Sequence, residues 1–369
     1  MSRKFAFEIS ARDGRARRGA LATAHGTVQT PAFMPVGTAG AVKALTCADL
    51  EACGVEMILG NTYHLYLRPG PELIHDLGGL AAFNGWRRPT LTDSGGFQVL
   101  SLAEKLKITD EGVTFASIHD GSLHHFTPEK AIDVQMAIGA DIIMSFDQCP
   151  PADCDVSYAT QAVERTTAWA KRGKLHFDGV VGEAPEKDTQ SVFGIAQGWL
   201  DKELRRRSAS EIIEIDFPGY AIGGLAVGET KEQLFEMTDF TAALLPDDKP
   251  RYLMGVGYPG DILHAVACGV DMFDCVLPTR NARTGHVFTS EGPLVYRNAE
   301  YARDEGPLDP NCDCMVCRRY SRAYLRHLYN QKEITAYILA TYHSIYFYQS
   351  LMRNIRAAIA DGVFETFRR

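Results

Sequence analysis

The chain has 369 residues, of which 46% are hydrophobic and 23% charged, and its formal net charge at pH 7 is −8. These proportions are those expected of an ordinary soluble protein with a large core. No run of about 18 apolar residues occurs and residues 1–19 lack an apolar signal core, so we expect neither a membrane-spanning helix nor a secretory leader.

The charge and the cysteines are distributed unevenly. Residues 251–369 carry a net charge of +2 and the remainder carries −10, so only the C-terminal third is suited to meet phosphates. Nine cysteines, an odd number in a long chain, favour reduced thiols over a disulfide framework. We therefore expect a cytoplasmic protein.

Short apolar runs that end in polar or glycine-rich turns recur along the chain and predict β-strands. In chain order they read VEMILGNTYH, PTLTDSGGF, DIIMSFDQC, SVFGIAQG, YAIGGLAVG, RYLMGVG and DMFDCVLPT. Between them, residues 127–139 and 157–174 have the apolar spacing of amphipathic helices. Alternating strands and helices indicate a parallel sheet.

Polar residues or glycine stand where six of these runs end: Asn61, Asp93, Asp147, Gln197, Gly224 and Asp274. In a (β/α)8 barrel all strands direct their carboxyl ends at one mouth, whereas fewer strand ends reach the crevice of a doubly wound sheet. The sequence therefore predicts an α/β fold, a (β/α)8 TIM barrel formed by a single catalytic domain over residues 1–369.

After residue 290 the strand–helix alternation gives way to proline- and glycine-rich loops followed by helices. We expect a zinc-binding subdomain over residues 300–350, appended within the barrel domain. The terminal helix, 351–369, is predicted to pack back on the barrel.

Three cysteines within six residues, Cys312, Cys314 and Cys317, have spacings that bring three thiolates around one tetrahedral ion. A fourth ligand is needed, and His343 on a downstream amphipathic segment is the leading candidate, with His327 as its rival. A closed Cys3His site leaves no position for catalytic water, so the predicted zinc is structural.

Three aspartates end predicted strands: Asp93, Asp147 and Asp274. One such residue is readily explained as a helix cap. Three at one barrel mouth indicate an acid–base residue, a nucleophile and a recognition carboxylate. The glycines of AIGGLAVG either let a flat ligand approach the backbone or allow tight strand–helix packing.

Several longer motifs, in order, resemble those of bacterial tRNA-guanine transglycosylases, the queuine tRNA-ribosyltransferase family. They are LGNTYHLYLRPG, LTDSGGFQVLSL, FGIAQG, GYAIGGLAVGE, PRYLMGVG, MFDCVLPTRNARTGH and CDCMVC with SRAYLRHL and a later histidine. The resemblance implies a zinc-bearing barrel that exchanges guanine at the tRNA wobble position for the queuine precursor preQ1. It also implies a homodimer acting on tRNAs with a U-G-U anticodon segment.

The resemblance assigns roles that the residues alone leave open. Asp274 corresponds to the nucleophile that attacks the ribose, and Asp93 to the general acid/base. Residues that bind the base correspond to Asp147, Gln197, Gly224, Leu225, Ser94, Asn61, Gln98, Phe97, Met254, Cys149 and Val227. Arg280 and Arg283 correspond to RNA contacts, and the zinc ligands to Cys312, Cys314, Cys317 and His343, one ion per subunit.

Three positions depart from the family pattern: Gln148 follows Asp147 in a shortened proline turn, Trp199 replaces a small residue, and Tyr258 replaces a frequent lysine. Two other functions are considered beside the enzyme. One is a catalytically silent RNA-binding homologue, whose signature would be the loss of Asp93 or Asp274. The other is a barrel glycoside hydrolase. The chain has only three tryptophans, too few for a tryptophan-rich sugar-binding surface, which counts against this function.

Overall fold

The computed structural model describes residues 5–102, 105–183 and 189–369. The chain begins with a three-stranded antiparallel sheet of β1 (Ala6–Asp13), β2 (Ala16–Thr23) and β3 (Gly26–Thr30). Three hydrogen bonds join this sheet to carboxylates that precede barrel strands. Arg17 on β2 donates to Asp271, His25 in the turn between β2 and β3 donates to Asp141, and Gln29 on β3 donates to Glu56. The sheet therefore covers the amino-terminal end of the barrel.

Eight parallel strands close into the barrel in chain order, and the last pairs with the first. They are β4 (Ala32–Gly37), β5 (Ile58–Gly60), β6 (Thr90–Thr92), β10 (Ile142–Met144), β11 (Ser191–Ala196), β12 (Tyr220–Ile222), β13 (Arg251–Leu253) and β14 (Met272–Cys275). The predicted barrel is confirmed. The seven apolar runs named above cover seven of its strands, and β4 is the one that they omit.

The barrel interior is packed with side chains. Met34, Leu91, Ile142 and Met272, from four strands, belong to one cluster with exposures of 0%. A second cluster fills the space between strands and outer helices. Strands buried on both faces need continuous apolar sequence, which explains why they read as runs without alternation.

Helices connect the strands on the outside: α1 (Cys47–Ala52), α2 (Thr62–Leu67), α3 (Pro71–Asp76), α4 (Leu80–Asn84), α5 (Gly96–Leu102), α6 (Pro128–Ile138), α7 (Val156–Glu183), α8 (Lys202–Ile213), α9 (Lys231–Leu244) and α10 (Pro259–Ala267). Both predicted helices are confirmed, as α6 and α7. The side chain of Thr127 caps α6 and Gly139, in the left-handed region, ends it. A small antiparallel sheet of β7 (Leu106–Ile108), β8 (Val113–Ala116) and β9 (Leu123–Phe126) precedes α6.

The C-terminal region contains α11 (Leu277–Arg283), the hairpin β15 (Val287–Thr289) and β16 (Gly292–Leu294), a 3₁₀ turn (Ala299–Arg303), α12 (Met315–Arg319), α13 (Arg322–Asn330), α14 (Ile334–Ala360) and α15 (Phe364–Phe367). The boundary predicted near residue 350 falls inside α14. This one helix carries His343 in its first half. Its second half packs on the barrel, where Gln349 donates to the carbonyl of Phe33 on β4 (3.0 Å).

Within the three described ranges, no helix has both the length and the apolar character that a membrane span requires.

Candidate active site and metal centre

All six predicted strand-end residues lie at the carboxyl ends of barrel strands, where parallel strands share one mouth. Asn61 and Asp93 directly follow β5 and β6, and Asp274 is the third residue of the four in β14. The other three, Asp147, Gln197 and Gly224, follow β10, β11 and β12. The barrel thus brings residues from the ends of six different strands together at one mouth.

Asp93 is nearly buried, with 6% of its surface exposed, and four donors surround its carboxylate. The donors are the amide side chains of Asn61 and Gln98 and the backbone N–H groups of Thr62 (3.0 Å) and Gly95 (3.1 Å). Burial disfavours the ionised form and raises the pKa of Asp93 to about 6; the hydrogen bonds oppose this shift, and the nearby charge of Asp274 adds to it. Asp93 can therefore gain or lose a proton near neutral pH.

Asp274 has two unequal carboxylate oxygens. Oδ1 accepts hydrogen bonds from the Tyr252 hydroxyl (2.6 Å) and the Gly255 backbone N–H (2.8 Å). Oδ2 accepts none from any residue in the described ranges, and the side chain is only half-buried. Burial raises the pKa of Asp274, and both hydrogen bonds oppose that shift. One oxygen is thus fixed by two hydrogen bonds, and the other accepts none from the described residues.

Asp147 lies between two of the predicted side chains. Its Oδ1 accepts from the hydroxyl of Ser94 (2.9 Å) and its Oδ2 from Nε2 of Gln197 (2.7 Å). Burial raises the pKa of Asp147, against these two hydrogen bonds. The amide oxygen of Gln197 is fully buried and accepts no hydrogen bond from the described residues. Such a group needs a partner, which a polar ligand can supply.

The loop after β12 approaches Gln197 closely. Gly224 has φ +68°, which favours glycine, and a Cβ there would lie 2.3 Å from the Gln197 amide oxygen and would displace that amide. Leu225 is buried beside it. The loop continues to Val227, whose backbone N–H donates to Glu229 (2.9 Å).

Phe97, Met254 and Cys149, which are also predicted to line the pocket, follow β6, β13 and β10 at the same end of the barrel. Phe97, in the first turn of α5, is 50% exposed, whereas Met254 packs partly buried against the barrel interior. Cys149 is two residues after Asp147, and burial raises the pKa of its thiol to about 12, so it stays protonated. An exposed ring and a half-buried thioether provide apolar surface for a flat ligand.

Arg280 and Arg283 lie on α11, which directly follows β14. Arg280 is exposed and lines a cavity of about 540 Å³ that also contacts Tyr258 and Cys275. Arg283 is partly buried, and its Nε donates to the carbonyl of Thr279 (3.0 Å). The cavity lining includes Glu229 and Asp261 as well as Lys231 and Arg280, so acidic and basic side chains are balanced there.

The predicted metal ligands converge. The sulfurs of Cys312, Cys314 and Cys317 lie 3.8, 3.7 and 3.3 Å from Nδ1 of His343, and all four ligand atoms are within 4.8 Å of one another. These separations match the edges of a tetrahedron around an ion with bonds of about 2.0–2.3 Å. The cluster could hold a metal ion, whereas His327 is an exposed residue of α13 outside it.

The second ring nitrogen of His343 is also engaged, at 3.0 Å from the carbonyl oxygen of Phe288. A backbone carbonyl can only accept, so Nε2 carries the proton and Nδ1 is left free to bind metal. His343 is fully buried in α14.

Two residues near the mouth escaped the sequence analysis. Tyr252 sits in the apolar run RYLMGVG and reads as a core aromatic; its contact with Asp274 depends on the pairing of β13 with β14. Arg205 belongs to the charged stretch KELRRRS, which reads as a solvent face, yet its side chain is fully buried. Asp201 caps the start of α8, but a cap does not indicate which side chains of the helix are buried.

Two aspartates of different character thus share the mouth with a polar pocket. Asp93 can exchange a proton near neutral pH, and Asp274 presents a free oxygen. A carboxylate nucleophile with a separate acid/base carboxyl is the arrangement that displaces a group from a sugar carbon with retained configuration.

Comparison with known proteins agrees with this chemistry. A family model described as queuine tRNA-ribosyltransferase matches residues 13–369. The queuine tRNA-ribosyltransferase of Halothermothrix orenii is 55% identical over 354 residues, covering 96% of this chain and 93% of that protein. That of Nitratidesulfovibrio vulgaris is 54% identical, covering 98% and 95%. That of Sphingopyxis alaskensis is 53% identical, covering 100% and 97%.

Proposed function

Because this chain belongs to the queuine tRNA-ribosyltransferase family, we propose that it exchanges guanine at the wobble position of U-G-U anticodon tRNAs for preQ1. The family is one of pentosyltransferases that act on tRNA, so the resemblance stated from the motifs is confirmed at that level. The observation that carries the finer proposal is the pairing of Asp93 with Asp274 at the barrel mouth.

Asp274 is proposed to be the nucleophile. Its free oxygen attacks C1′ of the target ribose, the bond from C1′ to the guanine nitrogen breaks, and an ester joins the ribose to the enzyme. Asp93 donates a proton to the departing guanine. Asp93 then takes a proton from the incoming base, whose nitrogen attacks C1′ and releases Asp274. Two inversions retain the configuration, and one N-glycosidic bond replaces another without an external energy source.

The base is proposed to bind against Asp147, Gln197 and the backbone at Gly224 and Leu225. Supporting this are the unpaired amide oxygen of Gln197 and the close backbone approach that Gly224 allows. Phe97 and Met254 enclose the base from its two faces, as extruded nucleobases usually stack on apolar side chains. Ser94, Asn61 and Gln98 hold the carboxylates in place. Cys149 and Val227 complete a pocket that favours preQ1 over queuine.

The RNA is proposed to run from the mouth along α11. Arg280 is exposed there and Arg283 follows one turn later, so both can meet the phosphates or bases next to the target. Tyr258, which replaces a lysine common in the family, lies on the same cavity. The salt dependence of tRNA binding should accordingly be shallower than for a lysine-containing relative.

The Cys3His cluster is proposed to hold one structural Zn²⁺ per subunit, since thiolate-rich tetrahedral sites select zinc. Held there, zinc would cross-link the segment around Cys314 to α14. The chain is further proposed to work as a cytoplasmic homodimer. All nine cysteines are free, which suits a reducing compartment.

The proposal is tested by incubating the protein with radiolabelled guanine and a U-G-U anticodon tRNA. We expect label in the tRNA, its replacement by unlabelled preQ1, and a covalent RNA adduct on denaturing gels. Asp274→Asn should abolish label and adduct. An RNA-binding homologue without activity would bind tRNA but incorporate nothing, and a glycoside hydrolase would release free sugar without RNA; either result would overturn the proposal.

A further inference from the structure

The guanidinium of Arg205 is fully buried, yet no carboxylate of the described residues lies within 4 Å of it. It donates instead to three backbone carbonyls, those of Trp199 (2.7 Å), Gly223 (3.2 Å) and Gly224 (3.3 Å). Burial lowers the pKa of Arg205 to about 10, so it remains charged at neutral pH. The more distant charge of Glu229 offsets only part of the cost of burial. A buried charge without an ion-pair partner is unfavourable for stability alone.

The three carbonyls lie on two different loops of the mouth. Trp199 follows Gln197 after β11, and Gly223 and Gly224 form the turn after β12. Because Arg205 is held near the start of α8, it fixes the spacing of both loops at once. The planar five-donor guanidinium suits this task, which a single ammonium cannot perform.

Trp199 extends the link to a third loop. Its indole N–H donates to the carbonyl of Ala152 (2.9 Å), in the shortened proline turn that follows Asp147 and Cys149. Ala152 also lies near the far end of the β12 loop, since a Cβ built on Gly228 would lie 3.6 Å from the Ala152 methyl. Trp199 holds φ +52°, a conformation unfavourable for a side chain this large. The departures at Trp199 and in the proline turn are therefore one coupled feature of this chain.

We propose that Arg205 and Trp199 are positioning residues that set the affinity for the incoming base. Their hydrogen bonds connect the three loops that carry Asp147, Gln197 and Gly224. Neither residue forms a hydrogen bond with Asp274, the proposed nucleophile, or with Arg280. This inference rests on the proposed function, because it takes the base as the ligand of those loops.

Trp199→Phe tests the link, since it removes the indole donor and keeps an aromatic ring at a partly exposed site. The dissociation constant for labelled guanine, from equilibrium dialysis, and the KM for guanine should each rise about fivefold, as expected for one hydrogen bond. The KM for tRNA, and kcat at saturating guanine, should stay within about twofold of the parent.

Trp86→Phe is the matched control. Its indole also donates to a carbonyl, that of Pro89 (3.1 Å), but it is fully buried in a cluster away from the three loops. It should lower the melting temperature more than Trp199→Phe and leave guanine affinity unchanged. Equal effects of both variants on guanine affinity, or none from Trp199→Phe, would overturn the inference.

Arg205→Lys provides a second measurement. Lysine keeps the charge but cannot reach three carbonyls, so guanine affinity should fall about tenfold or more, with the KM for tRNA unaffected. If the parent binds guanine but exchanges none, the proposed function fails and the binding comparison still decides this inference. If the parent binds no guanine, both fail.

Discussion

The hydroxyl of Tyr252 donates a hydrogen bond of 2.6 Å to Oδ1 of Asp274 from the neighbouring strand of the barrel. Burial and the adjacent carboxylates hold the pKa of Tyr252 well above its usual value, so the hydroxyl stays protonated and can only donate to Asp274. The bond orients the carboxylate and leaves Oδ2 free.

Tyr252→Phe removes that donor and should lower kcat for base exchange about tenfold, because a hydrogen bond to a charged group contributes about 1.5 kcal/mol. The KM for tRNA should change little. Single-turnover formation of the covalent RNA adduct measures the affected step directly. Tyr296→Phe is the control, since that buried hydroxyl donates to the carbonyl of Ala282 instead (2.9 Å). Equal kcat in the two variants would contradict the role of Tyr252.

The attack of the incoming base should slow as the pH drops below about 6, because protonated Asp93 can no longer accept a proton from that base. The departure of guanine, in which Asp93 donates a proton, should instead slow as the pH rises above that value. The same raised pKa affects stability in a defined direction. The unfolded chain releases this proton near pH 4 and the folded chain near pH 6, so the contribution of Asp93 to folding is lost as the pH rises between these values. A pH profile of kcat/KM for guanine measures the first effect.

The acid limb of the pH profile is the range in which kcat/KM for guanine falls as the pH drops. Gln98→Leu should move this acid limb to higher pH, because it removes a hydrogen-bond donor (2.8 Å) to the ionised carboxylate of Asp93. Lys107→Gln, on the exposed strand β7, should leave the limb in place. An acid limb near pH 4 in the parent would show that burial does not control this titration.

Removal of the metal should unfold the C-terminal subdomain before it affects the mouth. His343→Ala is expected to lose bound zinc and to lower the melting temperature, because a buried ligand of a closed site is removed. His327→Ala, the exposed alternative, should retain one zinc per chain. Elemental analysis and thermal melts with and without chelator provide the readouts. Full zinc content in His343→Ala would exclude this site.

Gly224→Ala should weaken guanine binding more than about tenfold, because the new methyl group would meet the Gln197 amide oxygen at 2.3 Å. Gly362→Ala is the matched control, since Gly362 has φ +69° and no neighbouring atom within 4 Å of an added Cβ. Both variants pay the same backbone penalty of about 1 kcal/mol, which melting curves detect. Only Gly224→Ala should change guanine affinity, and equal affinities would contradict the close approach.

At the opposite end of the barrel, Asp271→Asn should destabilise the fold by about 3 kcal/mol, because it leaves the buried Arg17 guanidinium with only the exposed carboxylate of Asp247, at 3.6 Å, as a charge partner. Combining it with Arg17→Met should recover a large part of that loss. Urea unfolding gives both values. Glu203→Ala, which breaks an exposed pair with Arg206, should change stability by less than about 0.5 kcal/mol.

Asp147 and Asp274 could be recognised from sequence because β10 and β14 are continuous apolar runs, in which an acid is conspicuous. The mouth then follows from the geometry of any parallel barrel. The choice between His343 and His327 did not follow from spacing, since both lie on helices downstream of the cysteines. It depends on how α14 folds over the hairpin of β15 and β16, which brings His343 to the carbonyl of Phe288.

Arg205 and Tyr252 were missed for a related reason. Local pattern makes an arginine in a charged helix look exposed and a tyrosine in an apolar strand look like packing. Their contacts are made with residues of other elements, Gly224 in the loop after β12 for Arg205 and Asp274 on β14 for Tyr252. The N-terminal sheet was not foreseen either, because Arg17 reads as surface charge until Asp271 is placed beside it.

The seam between the first and last barrel strands is covered by α14, and the contact of Gln349 with Phe33 joins residues 316 positions apart. During synthesis at about 5–20 residues per second, Phe33 therefore waits roughly 15–60 s for its partner. Until α14 is complete, the seam between β4 and β14 lacks this outer cover and is accessible to other molecules. Ribosome stalling before residue 349 should make this protein a substrate for chaperones that bind nascent chains.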